Sequence, residues 1–136
     1  MNIAMIMSGG VGRRFGSVIP KQYNLIKGKA VIDYVIQACK QSSLTDAIVV
    51  VCDPQCVQFS DELKNGNIDI ACNGSERSWS VKNGLDFINE NYDCDKICIL
   101  DAVAPFVYPD LIDDYFKKLD DNDCVITCQK ITGELG

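Results

Sequence analysis

The stretch "MSGGVGRRFGSVIPKQY", Met7 to Tyr23, follows the first apolar run and decides how the whole chain is interpreted. It is rich in glycine and carries Arg13, Arg14 and Lys21, so it suits neither a regular helix nor a regular strand. Glycine-rich backbone lets amide groups approach an anion, and arginine and lysine add positive charge for phosphate groups. Because the 136-residue chain has a net charge of -6, this concentration of cations predicts a local site for an anionic ligand.

Short apolar runs alternate with helical patterns along the chain. The runs predicted to be strands are Ile3–Met7, Ala47–Cys52, Ile68–Cys72, Lys96–Leu100 and Cys124–Cys128. Several of them are apolar without strict alternation, which is typical of strands buried on both faces of a parallel sheet. The order of elements predicts an α/β fold with a doubly wound, mostly parallel sheet.

Three helical stripes lie between the predicted strands. They begin at Val31, Val81 and Leu111, and the third is preceded by Pro109, which suits the first position of a helix. The segment from Pro54 to Lys64 is a weaker helix prediction. Ligands of open α/β sheets bind outside the carboxyl ends of the strands. The loops after the first, third and fourth strands are therefore expected to meet along one edge of the sheet.

The composition excludes several classes of protein. The sequence pI near 4.5 argues against a nucleic-acid or anionic-membrane surface. No signal peptide is recognised, and no apolar run approaches transmembrane length. The chain has eight cysteines and no histidine, and the cysteines lack the closer CxxC spacing of metal knuckles. They are predicted to be reduced thiols, which indicates a cytoplasmic protein.

Two familiar phosphate-binding motifs do not fit the opening loop. Gly10, Gly12 and Gly16 give GxGxxxG rather than the dinucleotide pattern GxGxxG, and Pro20 precedes any helical pattern. The Walker motif GxxxxGK[ST] is absent from the sequence. Long ordered loops in compact domains are usually functional, although a solvated glycine loop with incidental cations remains the alternative.

Three motifs, in order, resemble the cytidylyltransferases that act on 2-C-methyl-D-erythritol 4-phosphate and the related ribitol-5-phosphate enzymes. They are "SGGVGRRFGSVIPKQYNLIKGKAVIDYVI", "GSERSWSVKNGL" and "DAVAPFV". The resemblance covers nearly the whole chain and implies a Rossmann-like nucleotidyltransferase fold. Residues 1–136 would be the nucleotide-binding part of a single domain that is truncated at its C-terminus. The resemblance also implies cytidylyl transfer from CTP to a sugar or polyol phosphate, with release of pyrophosphate. For the full-length protein it implies a homodimer.

The resemblance assigns roles to individual residues. Arg14 and Lys21 would be catalytic, since they would stabilise charge on the α-phosphorus and on the leaving pyrophosphate. The residues expected to bind the nucleotide are Ser8, Gly9, Gly10, Gly12, Ser75 and Ser80. Asp101 would hold Mg²⁺, a cation that joins one or two carboxylates to substrate phosphates. The alternatives are a helix cap for Ser75 and a helix or loop cap for Asp101.

One departure from the family pattern leaves the acceptor open. Ala104 stands where the third motif normally has an arginine, which in the family grips the phosphate of the acceptor. Two alternative functions therefore remain: a truncated or non-catalytic nucleotide-binding relative, and a nucleotidyltransferase for a different NTP and sugar phosphate. A dehydrogenase is disfavoured, because the glycine spacing differs from the dinucleotide fingerprint.

Overall fold

The computed structural model describes residues 1–9, 20–104 and 107–125. The strands are β1 (Asn2–Ser8), β2 (Leu25–Ile26), β3 (Lys29–Ala30), β4 (Ala47–Cys52), β5 (Asp69–Cys72) and β6 (Lys96–Asp101). Four of them form a parallel sheet in the order β5-β4-β1-β6, while β2 and β3 form a small antiparallel sheet. The prediction of a mostly parallel α/β sheet is confirmed.

Helices connect the strands of the main sheet. The α-helices are α1 (Val31–Gln41), α2 (Asp61–Lys64), α3 (Arg77–Asn91) and α4 (Pro109–Lys118), and two 3-10 helices span Lys21–Tyr23 and Pro54–Phe59. Each of the three predicted helical stripes corresponds to a long helix, namely α1, α3 and α4. The weaker helix prediction does not correspond to one continuous helix.

Strand β1 lies inside the sheet and contributes side chains to a core on each face. Ala4 and Ile6 pack in the apolar cluster that α1 and α4 cover. Ile3, Met5 and Met7 pack in a second cluster, which includes buried side chains of β4 and α3. Because side chains alternate between the two faces of a strand, a strand buried on both faces carries apolar residues without interruption.

The segment from Pro54 to Lys64 folds as two short helices rather than one. The Asp53 carboxylate accepts a hydrogen bond from the Gln55 amide at 2.9 Å and so caps the 3-10 helix. The Ser60 hydroxyl oxygen accepts from the Leu63 amide at 3.1 Å and caps α2. Since a capping residue has an extended backbone, the helix ends before Ser60 and begins again after it.

The predicted strand Cys124–Cys128 lies largely outside the described residues, and Cys124 and Val125 are not in a strand. All seven cysteines within the described ranges are free thiols, as predicted. No helix among the described residues is long and apolar enough to cross a membrane.

Candidate functional site

A cleft of about 400 Å³ opens at the carboxyl ends of the parallel strands. Its lining residues come from the end of β1, the 3-10 helix before β2, the loop after β5, the start of α3 and the end of β6. They are Met7, Ser8, Gly9, Gln22, Gly74, Ser75, Glu76, Arg77, Ser80, Asp101, Ala102 and Val103. All three segments expected at this edge of the sheet therefore contribute to one cleft, as the sequence predicts.

A buried polar network joins the tip of β1 to the 3-10 helix. The Gln22 side-chain amide donates to the Ser8 carbonyl oxygen and lies 3.2 Å from the Ser8 hydroxyl oxygen. The hydroxyl oxygens of Ser8 and Tyr23 lie 2.9 Å apart, and all three residues are buried. Burial raises the pKa of the Tyr23 hydroxyl, which therefore stays protonated. These hydrogen bonds hold the end of "PKQY" against β1, the strand that precedes the glycine-rich loop.

The predicted catalytic residues are only partly described. Lys21 lies directly before Gln22, is exposed, and forms no salt bridge with another described residue. Its side chain is not among those that line the cleft, whereas that of Gln22 is. Arg14, Gly10 and Gly12 lie outside the described residues. The structure thus brings the Lys21 segment to the cleft and leaves its catalytic role as a prediction.

The loop after β5 passes very close to the end of β1. A Cβ atom on Gly9 would lie 2.8 Å from Cβ of Asn73, and one on Gly74 would lie 2.5 Å from Cβ of Trp79. Real Cβ atoms do not approach neighbours so closely, so both positions need glycine. The Gly74 amide donates to the Ser80 hydroxyl oxygen at 2.9 Å. Ser80 is 3% exposed, so its observed role is to position this loop. Its contact with the nucleotide remains a prediction.

Ser75 lines the cleft and is exposed. The cap role considered for it is not observed, because the N-cap of α3 is Glu76 and no side chain caps the helix there. Its predicted contact with the nucleotide remains a prediction.

Asp101 lies at the end of β6, faces the cleft and pairs with Arg77, whose guanidinium nitrogen lies 2.9 Å from the carboxylate oxygen. Arg77 belongs to the second motif, and nothing in the sequence indicated its pair with Asp101. Gln22 belongs to the first motif, within "PKQY", but was not predicted as a site residue. The sequence signal for Gln22 was its position directly after Lys21, the proposed catalytic lysine.

The site fits Mg²⁺ only in part. Within the described ranges, no three Cys, Asp or Glu side chains come together as a metal site. Mg²⁺ commonly uses one or two carboxylates together with substrate phosphates, and Asp101 supplies one carboxylate at the cleft. The residues present therefore fit a cation that arrives with phosphate groups rather than a cation bound by protein alone.

Ala104 lies outside this cleft. It lines a second groove of about 600 Å³ along β6, together with Asp101, Tyr115 and Leu119. The described residues that line this groove include no lysine or arginine. At the position where the family motif has an arginine, the described lining of this groove therefore carries no positively charged side chain.

The parallel sheet with a cleft at its carboxyl edge matches a nucleotidyltransferase fold, as comparison with solved structures shows. A solved structure of 4-diphosphocytidyl-2C-methyl-D-erythritol synthase shares this fold, with a TM-score of 0.72 and 23% identity over 89% of this chain and 55% of that one. The chain belongs to the family of 2-C-methyl-D-erythritol 4-phosphate cytidylyltransferases (IspD), whose family model matches residues 2–133.

Two curated relatives show how far the match extends. The chain is 32% identical over 120 residues to the 2-C-methyl-D-erythritol 4-phosphate cytidylyltransferase of Thermotoga neapolitana, covering 87% of this chain and 54% of the relative. It is 29% identical over 136 residues to the ribitol-5-phosphate cytidylyltransferase of Lactiplantibacillus plantarum, covering 93% and 58% respectively. The chain spans little more than half the length of these relatives.

Proposed function

We propose that the protein transfers a cytidylyl group from CTP to a phosphorylated sugar or polyol and releases pyrophosphate. The observation that carries this proposal is the family match over residues 2–133. Residues from all three motifs within that range contribute to one cleft. An oxygen of the acceptor phosphate attacks the α-phosphorus of CTP. The bond from that phosphorus to the bridging oxygen breaks, and the electron pair leaves with pyrophosphate. Such a reaction needs in-line positioning and charge stabilisation more than covalent help from the protein.

The protein's own residues supply these two requirements. Backbone amides of Gly9, Gly10 and Gly12 hold the triphosphate, and Arg14 and Lys21 stabilise its developing charge. Ser8 and Ser80 hold the 3-10 helix and the loop after β5, which both line the cleft, since their hydroxyls bond to Gln22 and to the Gly74 amide. The exposed Ser75 then lies on the nucleoside side.

Asp101 is the carboxylate that would hold Mg²⁺ at this cleft. When bound, the cation neutralises phosphate charge. Asp101 fits this role because a carboxylate at a strand tip can reach a ligand in the cleft.

The acceptor class is proposed at the level of a phosphorylated sugar or polyol. The names of the two relatives specify 2-C-methyl-D-erythritol 4-phosphate and ribitol 5-phosphate. Ala104 favours a second candidate, a relative that binds the nucleotide without transferring it, because no cation at this position would hold the acceptor. We also propose a cytoplasmic location, which free thiols favour, and a homodimer at full length.

Binding and turnover separate these candidates. Thermal unfolding with CTP, UTP, ATP and NAD, each with Mg²⁺, identifies the nucleotide, because a ligand of the native state raises the transition temperature. We expect CTP to give the largest increase. Pyrophosphate release from CTP with a panel of sugar and polyol phosphates then tests transfer. Binding of CTP without pyrophosphate release for any acceptor would favour the non-catalytic candidate.

Lys21→Ala is expected to lower the rate of pyrophosphate release by about 10² to 10³, the usual effect of removing a preorganised charged donor. Lys64→Ala is the matched control, since Lys64 is an exposed lysine on α2 that pairs only with Asp61 among the described residues. Turnover of Lys21→Ala at the level of the control would reject the catalytic role of Lys21.

A further inference from the structure

Gln22 is a buried side chain of which only one end is bonded within the described part of the chain. It is 4% exposed, and its side-chain nitrogen donates to the Ser8 carbonyl oxygen at 3.2 Å and lies 3.2 Å from the Ser8 hydroxyl oxygen. No described residue donates a hydrogen bond to its side-chain oxygen, Oε1. Because a buried acceptor without a donor costs free energy, we expect this oxygen to have a partner when the site is occupied.

The unpaired oxygen of Gln22 faces the cleft. Every fully buried side-chain nitrogen or oxygen of the described residues has a hydrogen-bond partner. Since Oε1 has no partner among these residues, it is not fully buried and keeps some contact with open space. Gln22 lines the cleft together with Ser8, Gly9 and Ser75. Its oxygen is therefore directed to the space that a ligand would occupy.

The orientation of the Gln22 amide is fixed by its contacts with Ser8. A carbonyl oxygen can only accept hydrogen bonds, so the Ser8 carbonyl requires the NH₂ group of Gln22 on its side. A flipped amide would place two carbonyl oxygens against each other. The backbone is held as well, because the Tyr23 amide closes the turn by donating to the Pro20 carbonyl oxygen at 3.0 Å. Gln22 thus presents the cleft with an acceptor that cannot turn into a donor.

A nucleoside can supply the donor that this acceptor lacks. The ionised oxygens of a triphosphate only accept hydrogen bonds, so the phosphates cannot pair with Oε1. A cytosine nucleoside carries two kinds of neutral donor, the amino group of the base and the hydroxyls of the ribose. Uracil has a carbonyl oxygen in place of that amino group, and it would oppose the oxygen of Gln22.

We propose that Gln22 is a specificity-determining residue, whose side-chain oxygen accepts a hydrogen bond from the base amino group or from a ribose hydroxyl of the nucleotide. The inference rests on the proposed function, because it takes the ligand to be a nucleotide. It adds that consecutive residues divide the recognition of that ligand. Lys21 is assigned to the phosphates, and Gln22 contacts the nucleoside.

The contact is tested by removing the acceptor from the protein and the donor from the nucleotide. Isothermal titration calorimetry measures the dissociation constants of CTP, UTP, 2′-deoxy-CTP and 3′-deoxy-CTP, with Mg²⁺ and without an acceptor substrate. In the unsubstituted protein, the nucleotide that lacks the matching donor should bind about twofold to tenfold more weakly than CTP, the usual effect of one neutral hydrogen bond. Gln22→Met keeps a side chain of similar length without the oxygen, so it should remove this difference.

The pattern across the four nucleotides identifies the donor. A difference between CTP and UTP that disappears in Gln22→Met assigns the contact to the base amino group. A difference between CTP and one deoxy nucleotide that disappears assigns it to that ribose hydroxyl. If Gln22 only held the shape of the cleft, the substitution would weaken all four nucleotides by the same factor.

Gln58→Met is the matched control. Gln58 also lies in a 3-10 helix, and its side-chain amide donates to the Gln55 carbonyl oxygen at 2.9 Å, but it does not line the cleft. It should leave the four dissociation constants and their ratios within about twofold of the unsubstituted protein. Gln22→Asn shortens the side chain and withdraws the oxygen, so it provides the comparison if the methionine variant fails to fold.

The inference is overturned if the unsubstituted protein binds all four nucleotides alike, or if Gln22→Met leaves their ratios unchanged. Pyrophosphate release from CTP would then still support the proposed function. A ribose contact that Gln22→Met removes, together with equal affinities for CTP and UTP, would support the inference and count against a CTP-dependent function. Absence of binding by all four nucleotides would overturn both.

Discussion

At the scale of single residues, one buried hydroxyl holds the loop that forms a wall of the cleft. The Ser80 hydroxyl oxygen, near the start of α3, accepts a hydrogen bond from the Gly74 amide at 2.9 Å. This bond joins the helix to the loop that precedes it. Ser80 is 3% exposed, so water cannot readily replace this bond. The position of the loop against Gly9 therefore depends on a side chain that has little contact with solvent.

Ser80→Ala is expected to lower the free energy of unfolding by about 1 kcal/mol, because the Gly74 amide loses its acceptor in a part-buried hydrogen bond. It should also reduce the increase in transition temperature that CTP causes, since the loop loses its fixed position. Ser78→Ala is the control, because Ser78 is an exposed serine of the same helix. Urea unfolding and thermal unfolding with CTP measure the two effects. Equal effects of the two variants would contradict the positioning role.

Some site residues could be predicted from the sequence and others could not. Asp101 was predicted at a strand tip, and the strand does end there, because apolar runs and strand ends are local features of a sequence. The contacts of Arg77 and Gln22 are not local. They depend on which loops the sheet brings together, so no spacing along the chain indicated the Arg77–Asp101 pair or the Gln22–Ser8 bond.

At the scale of elements, a carboxylate on α4 fixes the turn that follows α1. Asp113 accepts hydrogen bonds from the Ser42 hydroxyl at 2.5 Å, the Ser43 hydroxyl at 2.9 Å and the Leu44 amide at 3.0 Å. These bonds, chiefly the one from Ser42, lower the pKa of Asp113 to about 2. They join two helices that cover the same face of the sheet.

The pH dependence of this contact follows from the direction of the pKa shift. The pKa of Asp113 is lower in the folded state than in the unfolded state, so the ionised carboxylate stabilises the fold at neutral pH. This contribution should decrease as the pH falls from about 5 towards 2. Asp113→Asn is expected to lower the free energy of unfolding by about 1 kcal/mol at pH 7 and by much less at pH 2.5.

Urea unfolding at pH 7 and at pH 2.5 measures this difference. Asp114→Asn is the control, because Asp114 is the neighbouring acid of α4 and pairs with Lys118 on the same helix. A loss of stability for Asp113→Asn that is independent of pH would show that the charge is not responsible.

The pattern of apolar residues predicted the long elements but not the break at Ser60. Helices α1 and α4 carry buried apolar residues at helical spacing, which is a strong signal in one sequence, whereas Ile88 is the only buried apolar side chain that α3 contributes. The segment from Pro54 to Lys64 has few such residues. Its shape depends on two side-chain caps, and an isolated serine or aspartate does not indicate which amide it will cap.

At the scale of the whole molecule, β6 lies at one edge of the sheet that the described residues form. Strand β6 is the last strand in the order, and no described residue pairs with its outer side. Ile99, in the middle of this strand, is 45% exposed. Native proteins usually protect such edges with charged residues, because an unpaired apolar strand can pair with another molecule. As the described residues leave it, this edge is therefore expected to favour self-association at high concentration.

Ile99→Lys is expected to reduce this self-association, because a lysine in the middle of an edge strand opposes pairing with another strand. Leu25→Lys is the matched control, since Leu25 is 69% exposed but belongs to the two-residue strand β2 of the small sheet. Sedimentation velocity over a range of protein concentrations measures the fraction of larger species for the three proteins. We expect that fraction to fall for Ile99→Lys and to stay near the unsubstituted level for Leu25→Lys. An equal decrease in both variants would attribute association to exposed apolar area in general and not to the edge of β6.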